Sequence, residues 1–145
     1  MVTSISHSPG ETELLGAAFG RAACAGWVIG LAGEMGVGKT QWVKGLARGL
    51  GIAGRVHSPT FALLNQYGGG RLPLFHLDLY RLETPDEILG AGLEPYLFNP
   101  GGVSVIEWIE RWPGFNPPPP TIYQLVQIDF LNETERRLTY EDISR

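Results

Sequence analysis

The chain has 145 residues, 43% of them hydrophobic and 18% charged, which is the make-up of one soluble globular domain spanning residues 1–145. A net charge of −4 without any Lys/Arg cluster excludes the basic face by which a protein grips nucleic acid unaided. The one cysteine, Cys24, excludes an internal disulfide, and no stretch approaches the roughly 20 apolar residues of a membrane span. The N-terminal residues lack the basic start and apolar run of a signal peptide, so a cytoplasmic location is expected.

The first element is a helix. In SPGETELLGAAFGRAACAG, Thr12 is a candidate cap, and Leu14, Leu15, Ala18, Phe19 and Ala22 recur at helical spacing. Cys24 falls in the same pattern and reads as a small buried side chain. The apolar run WVIGLAG, residues 27–33, suits a buried parallel strand. A second helix starts near Lys39, carries Trp42, Val43, Leu46 and Leu50, and stops at Gly51. Residues 61–67 and 72–80 then read as the arms of a hairpin about a GGGR turn. On the second arm Phe75, Leu77 and Leu79 share one side, and His76, Asp78 and Tyr80 the other. TPDEILGAGL predicts a short helix with Thr84 as N-cap and Pro85 at its first position. GGVSVIEW, residues 101–108, is another buried strand and ends on a carboxylate. The NPPPP run is a stiff connector, TIYQLVQIDFL a strand, and RRLTYED its partner across a turn at residues 132–135.

Between the second element and the third lies GEMGVGKT, residues 33–40, which matches G-x-x-x-x-G-K-T, the Walker A loop. Gly33, Gly36 and Gly38 let the backbone curve with its N–H groups inward, so Gly33, Glu34, Met35, Gly36, Val37 and Gly38 are candidate phosphate contacts. Lys39 reaches the β- and γ-phosphates, and the Thr40 hydroxyl is placed to ligate Mg²⁺. The apolar strand before the motif and the amphipathic helix after it set it apart from an ordinary glycine turn. No lysine is followed two residues later by aspartate, so the guanine-reading segment of GTPases is absent, which favours ATP.

Such a site needs a second acid at the end of a neighbouring strand. Glu107, closing VSVI, and Asp78, in LFHLDLYRL, both qualify. Asp78 also reads as a solvated hairpin position, and Glu107 as a surface acid. His76 and Asp78 by themselves are too few ligands to define a zinc site. In HSPTF, Ser58 and Thr60 are switch-like residues; Thr60 is the candidate sensor of the γ-phosphate and Mg²⁺.

The series GEMGVGKT, VHSPTFALLNQY, FHLDLYRL, PDEILGAGLEPYL and VIEW, in this order and spacing, resembles the TsaE (YjeE) family of small bacterial ATPases. The resemblance implies an α/β, P-loop NTPase-like three-layer fold with a mixed, mainly parallel central sheet and an antiparallel hairpin. It also implies a Mg²⁺-dependent, ATP-hydrolysing enzyme of tRNA modification. In that family ATP hydrolysis resets the TsaD–TsaB pair, which transfers threonylcarbamoyl to adenosine in tRNAs reading codons that begin with A; tRNA is met only through that complex. Lys39 would hold phosphate, Thr40 and Glu107 would ligate Mg²⁺, Asp78 would act near the γ-phosphate, and Trp108 would pack beside the site. Thr12 would approach the nucleotide, and Arg136 would lie near the base. The family often has Asp and a second Thr where this chain has Glu34 and Gln41.

The implied chemistry is in-line attack of water on the γ-phosphate, weak without the partner because Arg71, Arg81 and Arg111 stand in no arginine-finger context. Two other readings remain open at this level. A small-molecule kinase would use the same loop, although residues 85–102 lack the arginines of a lid. A nucleotide-gated adaptor would bind ATP with only incidental hydrolysis.

Overall fold

Apolar, β-branched runs bounded by glycine build the centre of the molecule. A computed structural model describes residues 1–34, 36–54, 56 and 63–143. In it Trp27–Ala32 forms β2 and Val103–Glu107 forms β5; every residue of β5 and all but the first of β2 are buried, as expected for strands with a layer on each face. The other strands are Val2–Ser6 (β1), Leu64–Tyr67 (β3), Leu74–Asp78 (β4), Ile122–Phe130 (β6) and Arg136–Asp142 (β7). They make one sheet in the order β1-β7-β6-β2-β5-β4-β3. The four central strands, β6, β2, β5 and β4, are mutually parallel, while β3, β7 and β1 are added antiparallel.

Helices α1 (Pro9–Ala22) and α2 (Lys39–Gly49) cover one face. Their apolar sides close a core around Ile29, Leu31, Trp42, Leu46, Val105 and Ile128. On the opposite face α3 (Pro85–Gly90) and α4 (Glu94–Leu97) contribute Ile88 and Leu97 to a second core around Val28, Leu77 and Ile106. Among the described residues no helix is long and apolar enough to cross a membrane.

Several expectations are modified. Ser8, not Thr12, caps α1: its extended backbone and its Oγ, which accepts from the Glu11 amide at 3.1 Å, set the start, and Pro9 occupies the first turn. Thr84 caps α3 as the sequence predicts. β3 and β4 form the expected antiparallel hairpin, and β4 is in addition an interior strand, because its apolar residues serve both faces and it pairs with β5 as well as β3. β1 and α4 carry too few residues to stand out locally; β1 exists because β7 offers it a ladder from Val2↔Tyr140 to Ser6↔Arg136. Cys24 is exposed just past the end of α1, not buried.

Candidate active site

β2 ends at Ala32 and α2 begins at Lys39, so six residues must turn the chain back over the sheet. Gly36 and Gly38 have φ of +77° and +113°, a region that side chains disfavour. A Cβ on Gly36 would meet nothing within 4 Å, so the loop is open on that side. Gly38 caps α2 without a side-chain acceptor, and the first-turn amides with the helix dipole form a cradle for an anion.

Lys39 is only 5% exposed. Its Nζ donates to the Gly33 carbonyl at 2.8 Å and lies 3.8 Å from the centroid of the Trp108 ring. Burial lowers its pKa, opposed by the negative charges of Glu107, Glu110 and Asp78. Trp108 follows β5 directly and has φ of +61°, a strained value for a bulky residue, which accompanies the ring's position beneath Lys39. Tyr80 packs on Trp108 at 5.1 Å, and the Arg111 guanidinium lies over Tyr80 at 5.4 Å.

The parallel register aligns the acids. Leu31 is paired with Glu107, and Glu107 with Asp78, so both carboxylates stand at strand ends beside the start of the loop. They share the face covered by α2, because in-register residues of parallel strands point the same way. Glu107 is 4% exposed and meets His76 Nε2 at 2.5 Å. Asp78 accepts from the Tyr80 amide at 2.9 Å. Burial raises its pKa and the Glu107 charge adds to the rise, against the Tyr80 hydrogen bond, His76 and Lys39.

Thr40 lies in the first turn of α2, next to Lys39. Thr12 is buried, with its hydroxyl 2.7 Å from that of Ser6, and its methyl faces the Cβ direction of Gly38 at 4.0 Å. Its side chain therefore adjoins the loop through an apolar contact. Arg136 reaches the loop as a brace: Nε donates to the Val37 carbonyl at 2.9 Å, and Nη1 donates to the carbonyls of Asn132 and Glu135. The Val37 side chain is buried in the core, so only its backbone is available to a ligand, whereas Glu34 is exposed. Met35, Ser58 and Thr60 lie outside the described residues.

Two residues beyond the predicted set join the site. Glu110, in the 3₁₀ turn Ile109–Arg111, accepts from the Gly33 amide at 3.3 Å. Its sequence signal is an acid three residues beyond Glu107. His76 stands on the Asp78 side of its strand, as the alternation predicts; its link to Glu107 has no signal in the sequence.

The donors fit a magnesium-bound triphosphate. Thr40 and Glu107 offer the hard oxygens that Mg²⁺ prefers. Among the described residues no three His, Cys, Asp or Glu side chains form a metal cage, and Mg²⁺ ordinarily shares its coordination with phosphate and water.

A glycine loop between a central parallel strand and its helix, with acids at neighbouring strand ends, defines a P-loop NTPase-like protein. A family model described as threonylcarbamoyl adenosine biosynthesis protein TsaE matches residues 6–138. The chain belongs to this family. It is 47% identical over 116 residues to the tRNA threonylcarbamoyladenosine biosynthesis protein TsaE of Nostoc sp., covering 77% of this chain and 71% of that protein. The Bacillus subtilis protein of the same name is 44% identical over 101 residues, which is 70% of this chain but 62% of the relative's length. The crystal structure of Bacillus subtilis YdiB superposes with a TM-score of 0.81 at 29% identity, over 99% of this chain and 86% of that one.

Proposed function

We propose that this chain is a Mg²⁺-dependent ATPase that binds homologues of TsaD and TsaB and resets them between rounds of threonylcarbamoyl transfer to tRNA. The observation that carries the reading is the convergence of Lys39, Asp78 and Glu107 beside the glycine loop at one end of the sheet. Family membership supports the biosynthetic setting.

In this mechanism the triphosphate lies along the loop amides, and Lys39 leaves the Gly33 carbonyl and the Trp108 ring for the β- and γ-oxygens. Thr40 and Glu107 would hold Mg²⁺, which neutralises charge on the phosphates. Asp78 accepts a hydrogen bond from the attacking water and orients it in line; the bond from the γ-phosphorus to the bridging oxygen breaks, leaving ADP and inorganic phosphate. Arg71 donates to the Gly20 carbonyl at 2.8 Å, and Arg111 stacks on Tyr80, one ring removed from Lys39. Neither is aimed at the loop, and Arg136 meets it only at the Val37 carbonyl, which supports slow turnover of the isolated chain with the partner completing or ordering the site.

The test is phosphate release with TsaD and TsaB titrated in. Release rises with partner concentration, falls to background in Lys39→Ala through loss of ATP binding, and loses its Mg²⁺-dependent part in Glu107→Ala while some nucleotide is still bound. A flat response over a wide partner range overturns the partner assignment. Normal ATP affinity in Lys39→Ala overturns the site.

A further inference from the structure

We infer that His76 is a positioning residue for Glu107: its ring N–H holds one carboxylate oxygen so that the acid meets the metal in a single orientation. This inference rests on the Mg²⁺-ATPase reading and adds to it a residue that touches neither nucleotide nor metal.

His76 sits on β4 opposite Val105, two positions back from the Asp78–Glu107 pair and on the same face. From there its ring runs forward between the strands, and Nε2 meets Glu107 Oε2 at 2.5 Å. The carboxylate can only accept, so Nε2 carries the proton of this bond. The histidine side chain is wholly buried and that of Glu107 nearly so. Water is excluded, and a charge-assisted bond of this kind is at its strongest and most directional.

The remainder of the ring argues against a purely structural role. Nδ1 is buried with no hydrogen-bond partner among the described residues. A buried polar atom left unpaired costs about 1–3 kcal/mol, whereas an apolar side chain of similar shape packs without that penalty. Leu74, on the same face of β4, shows that leucine packs at this depth. Among the described residues the ring makes one hydrogen bond, and it constrains the acid opposite the loop. Residues that hydrogen-bond a metal's ligands commonly account for about 10–100-fold in metal affinity.

The experiment titrates MgCl₂ against protein carrying a fluorescent, non-hydrolysable ATP analogue, and also measures analogue affinity in EDTA. His76→Leu removes the donor. His76→Asn keeps an amide but places it too far back to reach Glu107, and His76→Gln places an amide nitrogen near the position of Nε2. The Mg²⁺ half-saturation point rises about 10–100-fold in the Leu and Asn variants. It stays within about 3-fold in His76→Gln, and affinity in EDTA changes by less than about 2-fold throughout. If the Leu variant does not fold, the Gln and Asn pair still decides the matter. Equal Mg²⁺ curves for Gln, Asn and wild type overturn the inference, as does a parallel loss of affinity in EDTA, which marks a structural defect. Absence of any Mg²⁺ effect on the wild type, or normal binding by Lys39→Ala, instead overturns the ATPase reading beneath it.

Discussion

The helix that begins with Lys39 and Thr40 is held against α1 by backbone contact, and a single methyl group tests this. A Cβ on Gly45 would lie 1.9 Å from the Glu13 carbonyl oxygen, and one on Gly49 would lie 2.1 Å from that of Ala17. From the other helix, a Cβ on Gly16 or Gly20 would likewise lie 2.2 or 2.3 Å from the carbonyl oxygens of Trp42 and Leu46. The obstacles are main-chain atoms, so no rotamer change relieves Gly45→Ala; the helices must separate by more than about 1 Å to reach ordinary packing. Overpacking of this kind costs roughly 1–3 kcal/mol, and a rigid contact falls at the upper end. Alanine returns about 1 kcal/mol through helix propensity, leaving a net loss of about 2 kcal/mol. For a chain of this size that is a fall of about 5–10 °C in Tm, read by calorimetry. Gly90→Ala is the control, since a Cβ there meets nothing within 4 Å, and it leaves Tm unchanged or slightly higher. ATP affinity also falls in Gly45→Ala, because α2 carries the loop lysine with it. A Gly45→Ala protein that melts at or above the wild-type temperature would refute the packing argument.

Two further outcomes follow from the site. Asp78 titrates above the ordinary carboxyl range chiefly because of burial. As pH rises the unfolded chain loses this proton first, so the fold loses stability from about pH 4 upward until pH passes the raised folded value. Asp78→Asn therefore raises stability at pH 7, by about 1 kcal/mol at most at this partly buried position, and the gain vanishes below about pH 4 while phosphate release drops. A lower Tm at pH 7 in that variant contradicts the assignment. Separately, nucleotide binding draws the Lys39 ammonium from the Trp108 ring and changes indole emission; Trp108→Phe abolishes the change although Trp27, Trp42 and Trp112 remain, and an unaltered response in that variant counts against the move.

Much of the candidate site's layout was legible because its signals are local. A turn that needs positive φ calls for glycine at Gly36 and Gly38, a helix start places Lys39 and Thr40, and a buried strand ending in acid marks Glu107. Capping shows the limit even at short range: Ser8 and Thr12 are both competent caps, and Pro9 together with the Ser8 backbone decides between them. Which strands become neighbours is not a local property. Residues 72–80 carry a hairpin pattern, yet only the ladder with β5 sets Asp78 beside Glu107 and brings His76 within reach of it. Likewise Arg136 meets Val37 only because β7 folds back along β6, and Glu110 meets Gly33 only through the turn after Trp108. Sequence by itself determined the elements and the phosphate-type loop, through backbone geometry and side-chain period. Tertiary structure decided which charges share one end of the sheet, because register and close helix contact arise from packing between residues distant along the chain.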